Sequence, residues 1–115
     1  MKNLTKRLWQ IWFALRKRIF GKPAPLLTVY AAEIPDEPEK DRLYLIGENE
    51  HFWFAALRCP CGCGTTVQVS LLPNSNPHWT FAEHRDGTIS LAPSVWRKDG
   101  CRSHYHVRRG FVEWV

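Results

Sequence analysis

His51-Phe52-Trp53-Phe54-Ala55-Ala56-Leu57-Arg58 runs into Cys59-Pro60-Cys61-Gly62-Cys63-Gly64, and Thr65-Thr66-Val67-Gln68-Val69-Ser70-Leu71-Leu72 follows. Val67, Val69 and Leu71 alternate with Thr66, Gln68 and Ser70, the pattern of a strand buried on one face. The run before the cysteines is apolar and aromatic, which also suits a strand. Between the two lie glycines that let a backbone turn tightly and aim amides at nearby sulfurs. The stretch therefore reads as a β-hairpin with three thiols at its tip.

Similar segments flank it. Strands are expected at 27–32, 43–46, 51–58, 66–72, 78–83, 88–91, 103–108 and 111–115. Turn chemistry separates them at Pro73-Asn74-Ser75-Asn76-Pro77, Asp86-Gly87, Asp99-Gly100 and Arg109-Gly110. Short strands joined by short turns predict an all-β domain over residues 26–115, an antiparallel meander forming a small sandwich or open barrel. Residues 33–50 hold seven acids, and Pro35 and Pro38 make the first part of that stretch a loop. Trp79, Trp96 and Trp114 are read as core.

A fourth thiol comes from Cys101-Arg102-Ser103-His104. Thiolate and imidazole are ligands that zinc prefers, and two short clusters apart in sequence can build a tetrahedral site. Five candidates compete for four positions: Cys59, Cys61, Cys63, Cys101 and His104. Cys101 and His104, three apart, can bite one ion, joined by Cys59 and Cys61 or Cys63. Alternatively one clustered thiol is a small core residue, or His104 stands behind four sulfur ligands. An iron–sulfur cluster is the other metal reading, but the first cluster lacks the Cys-x-His of a Rieske site. Two disulfides suit an even cysteine count, yet Cys59, Cys61 and Cys63 are too close to pair with one another. The expected compartment is the cytoplasm.

The 115 residues carry a formal charge of +5, unevenly spread. Residues 1–22 hold seven Lys and Arg and no acid, which leaves nine basic and eleven acidic groups and a net −2 beyond them. The body therefore lacks the basic footprint of a duplex-DNA binder. Leu4, Leu8, Ile11, Leu15 and Ile19 recur at helical spacing and fall within about 80° of one another on a helical wheel. A basic amphipathic helix is expected over residues 3–20, ended by Gly21-Lys22-Pro23-Ala24-Pro25. Its apolar stretch from Leu8 to Leu15 is too short and too broken by Gln10 for a membrane span. It can pack on the β body, dock on a protein partner or a second copy, or lie on an anionic membrane surface.

Serine and histidine also gather near the second cluster. Ser94 and Ser103 are candidate nucleophiles, with His106 as the candidate imidazole. Strand alternation puts His104 and His106 on one face and turns Ser103 and Tyr105 away from it. Ser94, after a proline, also reads as a residue that ties a turn. His51, His78 and His84 read as exposed polar residues at strand ends.

At these residues the chain resembles a family of small bacterial and phage proteins known mainly as a domain of unknown function. Its marks are a CPCGC run, a tryptophan-bearing strand, a Leu-x-Pro-Ser-Val segment, Cys-x-Ser-His and a closing Arg-x-Gly turn. Here these are Cys59 to Gly64, Trp79, Leu91 to Val95, Cys101 to His104, and Arg108 to Gly110. The resemblance covers residues 43–115 and departs at Tyr105-His106, where relatives tend to be aromatic at both positions. It implies a metal-binding β domain. Some relatives are encoded beside ubiquitin-like proteins and their activating and conjugating enzymes, which implies a peptidase or accessory role there. The leading expectation is an intracellular zinc-binding module; the competing one is a hydrolase, a peptidase processing a ubiquitin-like protein. A closed four-ligand site favours the module. A serine within about 3 Å of an imidazole that holds no metal favours the enzyme.

Overall fold

A computed structural model describes residues 24–115, so the helix expected over residues 3–20 lies outside the described residues. Eight strands follow in order: β1 Leu27–Ala31, β2 Arg42–Glu48, β3 His51–Arg58, β4 Thr66–Ser70, β5 Thr80–Glu83, β6 Ile89–Trp96, β7 His104–Arg108 and β8 Phe111–Trp114. They form two four-stranded sheets, β1-β2-β3-β4 and β5-β6-β7-β8. Among the described residues no helix is long and apolar enough to cross a membrane.

The alternation seen in the sequence builds the core between the sheets. Leu43, Leu45, Ala55, Leu57, Val67 and Val69 of the first sheet face Ile89, Leu91, Val95, Tyr105 and Val107 of the second. Tyr105, Leu43, Leu45, Leu57, Ile89 and Val107 are the largest fully buried side chains. β2 is buried along nearly its whole length, because its outer face is covered as well. There Tyr44, Ile46 and Ala56 pack with Ile34 and Trp53.

One pairing departs from the expected meander. β1 runs parallel to β2, with Leu27 opposite Arg42 and Ala31 opposite Ile46. The ten-residue connection, stiffened by Pro35 and Pro38, carries the chain back to the end where β1 began. Ile34 packs on the outer face, the Glu39 amide donates to the Tyr44 hydroxyl, and the Leu27 amide donates to the Asp41 carbonyl. The other pairings are antiparallel.

β6 is longer than the sequence suggests. It continues through Ala92-Pro93-Ser94 to Trp96, and its register against β7 breaks between Leu91 and Val95. A bulge is where a proline can sit inside a ladder, since no amide is required there. Past the break Val95 lies opposite Tyr105 and Trp96 opposite His104. Two of the tryptophans read as core are also placed differently. Trp96 is 58% exposed on the outer face of the second sheet, and Trp114 is 54% exposed on its edge strand. Trp79 packs half-buried against the core.

Candidate metal centre and active site

The β3–β4 hairpin ends in the first cysteine cluster. The Cys59 amide donates to the Thr65 carbonyl, and the Gly62 amide donates back to the Cys59 carbonyl at 3.1 Å. Gly62 and Gly64 have φ of +88° and +83°, which L side chains rarely adopt. The β6–β7 connection comes to the same end of the sandwich and is pinned by the Arg97 amide on the Ser103 carbonyl at 2.8 Å. The two sheets thus each contribute one tip.

Four sulfurs meet between these tips. Cys59 Sγ lies 3.2 Å from Cys61 Sγ and 3.5 Å from Cys101 Sγ. With Cys63, all four fall within 4.8 Å of one another. A tetrahedral ion with metal–sulfur bonds of about 2.3 Å needs sulfurs about 3.8 Å apart, so the four-thiol set fits one. All four cysteines are free; Cys59 is buried and the others are exposed.

The surroundings favour thiolate at two corners. The Ser103 hydroxyl, 3.1 Å from Cys101 Sγ, and then its amide hold the Cys101 thiol down at about 6. The Thr65 side chain and amide lower Cys63 to about 7. A hydrogen bond shared with Cys59 instead raises Cys61 to about 11. Arg97 Nη1 stands 3.3 Å from Cys101 Sγ and 3.5 Å from Cys63 Sγ, a fixed positive charge beside both. Tyr105 adds a buried hydroxyl that finds no partner among the described residues. Burial, then the charge of Cys59, raises its phenol, so the hydroxyl stays protonated close to the sulfurs.

His104 is not at this cluster. The sequence pairs it with Cys101, but its Nε2 lies 2.8 Å from Ser94 Oγ, and the fourth corner is a sulfur. Ser94 sits on β6 just past the Pro93 break, and His104 opens β7. The Trp79 indole N–H donates to the Ser94 carbonyl at 3.3 Å and anchors that backbone. Trp96 stacks on the imidazole, with centroids 5.1 Å apart and planes 16° apart, and Lys98 Nζ lies 5.4 Å from the Trp96 ring centre. Both partners of the pair are partly exposed.

The remaining candidates fall elsewhere. Ser103 is buried, with its Oγ against Cys101 and Cys59, so it serves the sulfurs. His106 shares the outer face with His104, as alternation requires, and lies opposite Glu113 on β8. His84, read as merely exposed, forms a second serine–imidazole contact, Nε2 to Ser90 Oγ at 2.7 Å. Ser90 Oγ also accepts the Arg109 amide at 2.9 Å. That amide ties Ser90 into the fold, a constraint that Ser94 Oγ does not share among the described residues.

The two features are joined through the chain. Ser103, against the sulfurs, directly precedes His104. Arg97, beside Cys63 and Cys101, directly follows Trp96. The sulfur cluster therefore braces the ends of the two strands that bring Ser94 and His104 together.

Residues 30–115 match the family model of the bacterial ubiquitination-like system serine protease (BubE). The match spans well over half of the chain, and the chain belongs to that family. No curated protein and no solved structure matches it.

Proposed function

We propose that this member of the bacterial ubiquitination-like system serine proteases is a serine hydrolase, with Ser94 as nucleophile and His104 as general base. One observation carries the reading: Ser94 Oγ and His104 Nε2 are 2.8 Å apart on adjacent strands, within the reach of direct proton transfer. A closed four-sulfur site alone suits an accessory module. A serine on an imidazole free of that site tips the balance to the enzyme, in line with the family's description.

The chemistry follows from the pair. His104 Nε2 takes the Ser94 proton as Oγ attacks a substrate carbonyl carbon, and the carbonyl π electrons move to oxygen. The tetrahedral intermediate collapses, the imidazolium gives its proton to the departing amine, and an acyl ester stays on Ser94. Water then attacks that ester with His104 again as base, releasing the acid and restoring Oγ–H. The Trp96 stack holds the imidazole plane, and Trp79 holds the Ser94 backbone.

We assign zinc to Cys59, Cys61, Cys63 and Cys101. Bound there, it supplies a cross-link between the two hairpin tips and leaves no position for substrate. His104, a candidate ligand by sequence, is the base in this reading. The substrate class is the C-terminal peptide or isopeptide bond of a ubiquitin-like protein, in the cytoplasm. Residues 1–22 serve as a docking element for a protein partner.

The test is cleavage of a ubiquitin-like protein bearing a C-terminal extension. Ser94→Ala abolishes cleavage and His104→Ala lowers kcat by about 10²–10⁴-fold, with metal and melt retained in both. Undiminished turnover in folded Ser94→Ala refutes the assignment.

A further inference from the structure

On the β5 edge of the sandwich lies a concavity of about 810 Å³ that the serine–imidazole pair does not use. Three rings wall it. Tyr30 of β1 and Phe52 of β3 have centroids 5.4 Å apart, and Phe81 of β5 meets Phe52 edge-on at 5.8 Å. Glu48, Glu50 and Glu83 stand around the same space.

The backbone is shaped to put them there. The β2–β3 turn is Asn49-Glu50, with φ of +49° and +64°. Two left-handed residues make the tight hairpin turn that usually takes Asn-Gly. Glutamate at the second place gives up glycine's freedom and gains a carboxylate at the rim. The hairpin is bent by a bulge at Ile46/Gly47, where a Cβ on Gly47 would stand 1.9 Å from the His51 carbonyl oxygen. Glu83 is fixed by the Tyr30 hydroxyl, which donates to it.

Among the described residues the charge there is uncompensated. Among the described residues the ion pairs are Arg42–Glu39 and Arg108–Glu113, so none of the three carboxylates has a basic nitrogen within 4 Å. They do not converge on one ion either: among the described residues the cysteines alone form a group of metal-ligating atoms within 4.8 Å. Spread carboxylates over aromatic faces suit an organic cation with an apolar stem.

We propose that this pocket binds a lysine or arginine side chain presented by a protein partner. The methylene stem lies along Phe52 and Phe81, and the cationic head lies over Tyr30 toward Glu83, Glu48 and Glu50. Anionic partners such as nucleic acid are repelled by the same three carboxylates. The proposal does not depend on the Ser94–His104 reading.

The probe is Nα-acetyl-lysine N-methylamide, titrated into the full chain with its phenylalanines ¹³C-labelled. Phe52 and Phe81 ring resonances should shift saturably and less so at high salt. The norleucine analogue, which keeps the stem and loses the charge, should leave them in place. Glu83→Gln and Phe81→Leu should each weaken the probe by about fivefold or more. If Phe81→Leu does not fold, Glu83→Gln and Glu50→Gln, both exposed, carry the test. Equal shifts with the norleucine analogue, or shifts that never saturate, overturn the proposal.

Discussion

Cys101→Ser removes the one sulfur that the cluster draws from the β6–β7 connection. Cys59, Cys61 and Cys63 all sit on the β3–β4 tip, so an ion kept by those three bridges nothing. Cys59 and Cys101 are 42 residues apart, and a link closing a loop of that length removes about 4 kcal/mol of unfolded-state entropy. That is a large part of the roughly 5–15 kcal/mol that stabilises a small domain. At about 4–8 °C per kcal/mol, the variant should melt about 15–30 °C below the parent. Two melts with metal quantification decide the matter. A strong chelator should lower the parent melt by a similar amount and leave Cys101→Ser nearly unmoved, because the cross-link is already gone. A variant that melts within a few degrees of the parent and keeps the parent's chelator sensitivity rules out a metal cross-link through Cys101.

Three further outcomes follow from the geometry. Ser103→Ala removes a buried hydroxyl between two sulfurs and should cost about 1–2 kcal/mol, seen as faster metal loss to chelator and a lower melt. Ser90→Ala should leave kcat/KM within about twofold of the parent, since the His84–Ser90 contact is a tie within the fold rather than a nucleophile. The Glu83 hydrogen bond, then burial, raises Tyr30 to about 12, so this contact stabilises the fold fully below the ordinary tyrosine range near 10 and is lost as pH rises through 12. Ultraviolet titration should find one tyrosine ionising near 12 in the parent and moving toward 10 in Glu83→Gln.

Much of this was legible in the chain because period-2 alternation is a local signal. Val67, Val69 and Leu71 showed their buried face, and the glycines between the cysteines marked a hairpin tip that the fold places as expected. The partition of His104 was not legible. Cys101-x-x-His104 has a spacing that one ion accepts, and nothing local says that the imidazole turns away. That outcome depends on the register between β6 and β7, which the break at Pro93 shifts. The same proline made Ser94 read as a residue that ties a turn, whereas it lies within β6. The parallel pairing of β1 with β2 was likewise invisible, since pairing direction is a property of the whole connection. Trp96 and Trp114 misled because a large aromatic side chain is usually buried, whereas here one covers an imidazole and the other lies on an edge strand.

In the proposed mechanism Ser94 is a nucleophile activated by His104. A fluorophosphonate, which traps serines activated by a neighbouring base, tests it without knowledge of the substrate. Intact-mass and peptide analysis of the labelled full chain should show one adduct on Ser94, lost in Ser94→Ala, greatly slowed in His104→Ala and retained in Ser90→Ala. An adduct on Ser90 or Ser103, or none on folded, metal-loaded protein, contradicts the account.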